Sequence, residues 1–96
     1  MEGIDLIDIE SYKNDKKYKK ALGLVDKVKL DYITSTHISF SVDNNEVHSV
    51  IYFRERKEDR WQCDCKWFSL HGTNCSHILA VNIAIMKGHV VFLEKT

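Results

Sequence analysis

The stretch WQCDCKWFSLHGTNCSHILAV, residues 61–81, holds all three cysteines of the chain and one closely placed histidine, in the order Cys63, Cys65, Cys75, His77. One residue separates the members of each pair, and nine separate the pairs. Three thiolates and an imidazole make a complete tetrahedral donor set for zinc. The two pairs ask for different backbones. In an extended strand residues i and i+2 face the same way, so Trp61, Cys63 and Cys65 line one side of a strand. On a helix i and i+2 diverge, so Cys75 belongs at a helix cap and His77 in the first turn. Thr73, Asn74 and Ser76 supply capping chemistry there, and the positive end of the helix favours Cys75 as a thiolate.

Other uses of these residues fit less well. A disulfide leaves one cysteine of three unpaired, and a Cys63–Cys65 bridge is strained. A cysteine nucleophile with His77 as base meets the same i, i+2 divergence. Inert buried thiols leave the spacing unexplained. His71, four residues before Cys75, is the alternative fourth ligand.

Cys-x-Cys at 63–65, Cys-x-His at 75–77 and the apolar ILAV at 78–81 together resemble the SWIM-type zinc finger. A looser likeness extends upstream to about Asp15. The resemblance implies a ββα unit whose second ligand pair enters the helix, and one structural zinc. It also implies binding to proteins or DNA. Some small SWIM proteins partner RecA-like recombinase paralogues in homologous recombination, and this chain looks like such a stand-alone module.

Ninety-six residues, 44% hydrophobic and 29% charged, describe one globular domain over 1–96, small enough for a metal clip to matter. The first ten residues, MEGIDLIDIE, lack the apolar run of a secretory leader. No stretch reaches the ~20 apolar residues of a membrane span. The expectation is a cytoplasmic chain with reduced cysteines. A net charge of zero argues against a strongly electrostatic nucleic-acid binder.

Working outward from the zinc stretch, the segment 14–60 reads as a helix and a meander, and 61–87 as the zinc-binding core. Residues 2–10 mix four acids with isoleucines and a leucine and fit a short strand, a partner-binding tail or a frayed terminus. From Asn14 to Leu24, Tyr18, Ala21 and Leu22 share one helical face. Asn14 or Asp15 caps the start and Gly23 stops the helix. Lys16, Lys17, Lys19 and Lys20 cover the other faces: an ordinary solvated surface, or a phosphate-contacting patch.

Val28, Leu30 and Tyr32 alternate with polar residues in a first strand, and Ile38, Phe40 and Val42 in a second. A two-residue turn at Asn44-Asn45 pairs Val42 with Val47, Phe40 with Ser49 and Ile38 with Ile51. The third strand, Val47 to Phe53, carries apolar residues on both faces and reads as covered on both sides. The mixed charges from Arg54 to Arg60 make a solvated loop. Trp61 to Cys65 is the fourth strand, and Lys66 to Asn74 is the zinc loop, with Gly72 as its turn residue. The helix from Cys75 to Lys87 is apolar nearly all round, so it is largely buried or has a second face for a partner. Gly88 ends it, and His89 to Leu93 reads as a final strand. His37, His48 and His89 are read as structural.

The fold class is therefore α+β: a short N-terminal helix, an antiparallel four-strand meander, and a zinc-clamped ββα unit. Four protein ligands leave the metal no open position, and no nucleophile triad, paired-carboxylate motif or phosphate-cradling glycine loop appears, so no enzyme is expected. Two function classes remain. One is a protein-interaction module, contacting a partner or a second copy of itself through Trp67, Phe68 and Leu70. The other is a DNA-binding module using Lys16, Lys17, Lys19 and Lys20, with Arg54, Arg56 and Arg60 in reserve.

Overall fold

Asp15 starts the first helix as its sequence position suggests. Its backbone is extended (φ −88°, ψ 141°) and its carboxylate accepts the Lys17 N–H at 2.9 Å. The computed structural model, which describes residues 4–90, places this helix, α1, at Lys16–Leu22 with Gly23 as its C-cap. Ala21 is buried and Tyr18 half-buried, but Leu22 points outward. Leu24 and Val25, just past the glycine, bury in its place, where a 3-10 turn at Val25–Lys27 leads into the sheet.

The sheet is an antiparallel meander in the order β1 (Val28–Ile33), β2 (His37–Asn44), β3 (Glu46–Phe53) and β4 (Trp61–Cys63). Its central register differs from the predicted one by a single residue. Val42 faces His48, Phe40 faces Val50, and Ile38 faces Tyr52. Asn44 pairs with Glu46, and Asn45 alone makes the turn at φ 65°. Because side chains alternate with period two, this slip exchanges the faces of β3. Val50 and Tyr52 are fully buried beside Ile38, Phe40 and Val42, while Val47 is 62% exposed. The shift also sets Asp43 against Val47 and removes the Asp43–Glu46 like-charge pair of the predicted turn.

Two further readings of the strands need correction. The second face of β3 carries no core: Ile51 and Phe53 are only half-buried, and the Arg56 guanidinium lies 3.7 Å from the Phe53 ring centre. In β1 a bulge between Leu30 and Tyr32 breaks the alternation, so Tyr32 faces solvent and Ile33 turns back to pair with Ile38.

The core lies between this sheet and the last helix, α3 (Ser76–Met86), along which α1 packs. Seven successive residues of α3, Ile78 to Ala84, are buried, which takes every face of the helix out of water. Of the two readings of this helix, the buried one holds. Its remaining side is covered by the N-terminal segment. Residues 4–8 run without regular structure and continue into a 3-10 turn at Ile9–Tyr12, with Ile9 buried. Gly88 follows α3 at φ 77°. His89 and Val90 are not in a strand, and the rest of the predicted final strand, Val91 to Leu93, lies outside the described residues. Among the described residues no helix is long and apolar enough to cross a membrane.

Candidate metal centre

The four predicted ligands come together. Cys63 closes β4 and Cys65 follows two residues later, already past the strand. Cys65 is instead the N-cap of a short helix, α2 (Lys66–His71), and its Sγ accepts the Phe68 N–H at 3.4 Å. The sequence predicts a loop from Lys66 to Asn74; most of it is this helix, ended by Gly72 in the left-handed conformation (φ 66°). A run of six residues without Gly or Pro, bounded by a capping residue and a glycine, was the available signal. Cys75 is the N-cap of α3 with extended backbone (φ −90°, ψ 175°), and His77 lies in the first turn, as predicted.

The donor atoms of Cys63, Cys65, Cys75 and His77 all lie within 4.8 Å of one another. His77 Nδ1 is 3.6 Å from Cys63 Sγ and 3.8 Å from Cys75 Sγ. A tetrahedron with metal–sulfur bonds of about 2.3 Å has edges of about 3.8 Å, so these spacings are those of a zinc site. The three sulfurs are buried and His77 is half-buried, which shields the thiolates from exchange with solvent. Soft thiolates with one imidazole select zinc over the oxygen-seeking cations. The donor set fits one structural zinc. His71 does not join it: its Nδ1 lies 3.0 Å from Trp67 O on the exposed side of α2.

Without the metal charge, the three thiols share protons unequally. Cys75 is pushed down to about 4, chiefly by the hydrogen bond it accepts from Cys63, against the opposing effect of burial. Cys63 is pushed up by donating that bond and by burial, and Cys65 is pushed up by burial first. Cys75 is thus the standing thiolate. The helix end assigned to it from sequence is not the largest cause; its thiol neighbour is.

One neighbour of the site was missed from sequence. His48 lies against His77 with ring centroids 4.3 Å apart, and its Nδ1 is 3.1 Å from Asp64 Oδ1. Asp64, between the two ligand cysteines, also accepts the Ser49 N–H at 3.2 Å. The off-by-one register had turned His48 away from this face.

The other singled-out residues divide. Trp67 and Phe68 are half-buried and Leu70 is 80% exposed. Trp67 stacks on His71 at 4.2 Å with the Lys17 ammonium 4.5 Å from its ring centre. Lys17 is committed elsewhere as well: its Nζ donates to Asn74 O at 3.0 Å, tying α1 to the residue before Cys75. Lys16, Lys19 and Lys20 remain exposed. Lys16, Lys17, Lys20 and Lys66 border a cleft of about 680 Å³ that Trp67, His48 and His77 also line; Lys19 does not reach it. Of the arginines, Arg60 is partly buried, and it forms an ion pair with Asp5.

The SWIM zinc finger family model matches residues 41–86, from within β2 to the end of α3, and leaves α1 and β1 outside. No curated protein and no solved structure matches the chain.

Proposed function

Since residues 41–86 are a SWIM zinc finger holding one structural zinc, we propose that the chain is a non-enzymatic cytoplasmic module that captures a protein partner through α2. The observation that carries this reading is the placement of Leu70. A large aliphatic side chain stands 80% exposed on a six-residue helix whose first turn is capped by one zinc ligand and whose end lies four residues from another. Metal binding therefore fixes the pose of Leu70, Phe68 and Trp67, and pre-organised apolar anchors are where interface energy concentrates. Four protein donors close the metal's coordination shell, which supports a structural rather than catalytic zinc.

The resemblance makes a RecA-like recombinase paralogue the first partner to test. A second copy of this chain is the other occupant to test at the same surface. The deciding experiment is capture from native lysate, with and without nuclease, using the native chain and Leu70→Asp. Nuclease-resistant capture that the substitution abolishes, with zinc content unchanged, supports the reading. Capture that nuclease removes overturns it.

A second reading, direct DNA binding, is favoured by one observation: Lys16, Lys20 and Lys66 share a cleft beside the zinc ligands. A basic groove can bind phosphates within a neutral chain.

A further inference from the structure

The segment 4–9 lies across the body of the protein as a peptide lies in a receptor groove. It is held through its main chain. The Asp5 N–H donates to Tyr52 Oη at 2.9 Å, the Ile7 N–H donates to Asn82 Oδ1 at 2.9 Å, and Trp61 Nε1 donates to Asp5 O at 3.3 Å. Bonds at alternate residues are how an extended chain is read. Among the described residues its one charged contact is the ion pair of Asp5 with Arg60.

The anchors belong to the body and are fixed by it. The Arg60 guanidinium donates to the carbonyls of Arg54 and Phe53 and lies 5.0 Å from the Tyr52 ring centre. Asn82 donates to Ile78 O at 2.8 Å, which leaves its Oδ1 directed at the strap. Trp61 packs on Tyr52 and Phe40. A buried asparagine in an otherwise apolar helix is costly unless paired, and here its partner is the strap's backbone. It also sets register, because a one-residue slip of the strap leaves that oxygen unmatched.

We propose that this groove is a second partner-binding site, which the chain's own N-terminal segment fills until an extended segment of another protein replaces it. The replacing segment carries an acidic residue for Arg60 and, two and four positions later, aliphatic residues in the places of Ile7 and Ile9. This deepens the interaction reading above while using different residues. The strap borders the cleft that Phe68 also lines, so the two surfaces are contiguous.

The test uses the full zinc-loaded chain and a fluorescent synthetic peptide of residues 4–12, read by anisotropy. In the native chain the tethered strap competes at an effective concentration on the order of millimolar, so the peptide binds weakly. Asp5→Lys in the chain sets like charges together, releases the strap and tightens peptide binding by at least about tenfold. Arg60→Glu alone, in the chain that keeps Asp5, also sets like charges together and releases the strap; that chain binds a peptide carrying Lys at position 5 and not the native peptide. If Asp5→Lys does not fold, Asp5→Ala serves, with a smaller gain expected. Equal affinity in native and released chains, or indifference to Arg60→Glu, overturns the proposal. Leu70→Asp must leave peptide binding unchanged, so failure here and failure of the α2 reading are told apart.

Discussion

The imidazole of His48 lies against that of His77, ring centroids 4.3 Å apart and planes 37° from parallel. A ligand histidine that can rotate loses metal faster than one held in place, and His48 is itself fixed by Asp64. His48→Ala should therefore leave zinc bound at one per chain but weaken it by about 10–100-fold. His48→Phe, which keeps a ring against His77, should lose less. Competition with a chromogenic chelator measures both, and unchanged affinity in His48→Ala would make the contact incidental.

The ligand set itself is tested by removal. Serine at Cys63, Cys65 or Cys75 should abolish zinc binding and destabilise the C-terminal half, because metal binding there contributes folding free energy. Far-UV circular dichroism and native mass spectrometry read the two losses. His71→Ala should keep the metal, since that ring sits on the outer side of α2 against Trp67. Metal lost from His71→Ala and kept by His77→Ala would reverse the assignment.

These ligands were legible in sequence because their chemistry lies in residue type and spacing, and so did the caps at Asp15, Gly23 and Cys75. The register of β2 and β3 was not. Asn44-Asn45 reads as a two-residue turn, and nothing local shows that Asn45 turns the chain alone. That slip hid His48. The strap was illegible for another reason: its partners Tyr52, Trp61 and Asn82 are far along the chain, and bonds to a main chain leave no pattern in its own side chains.

Proton release follows from the unequal thiols. Cys63 and Cys65 are raised, so they are protonated at neutral pH in the folded metal-free site, and Cys75, at about 4, is already ionised. Zinc must displace the two remaining thiol protons. Loading near pH 7 should release about two protons from the thiols, and zinc affinity should fall with decreasing pH, more steeply below about pH 4 as Cys75 protonates. Calorimetry in buffers of different ionisation enthalpy gives the number. A value near three would mean that all three thiols start protonated, as in an unfolded metal-free chain.

For the DNA reading, Lys17 is held by Asn74 O and two aromatic rings, which leaves Lys16, Lys20 and Lys66 along the cleft. Three phosphate contacts give a log–log salt slope of about −2.7 on duplex DNA. The interaction reading expects weak binding at physiological salt. A submicromolar complex, steeply salt-dependent and lost on charge reversal at these lysines, would rank DNA first.

Leu70 and Trp67 separate an interface from a core. Leu70 stands in water, so Leu70→Asp should change stability by no more than about 0.5 kcal/mol, the range of ordinary surface substitutions. Trp67 is half-buried between Lys17 and His71, so Trp67→Ala should cost more than that, yet less than the ~3–5 kcal/mol of emptying a core aromatic site. Thermal and urea melts on zinc-loaded protein give both values, and partner capture is scored on the same samples. The interaction reading expects both substitutions to reduce capture, with Leu70→Asp doing so at native stability. If Trp67→Ala reaches the full core value while Leu70→Asp captures normally, α2 is only a lid over the zinc site and the partner docks elsewhere.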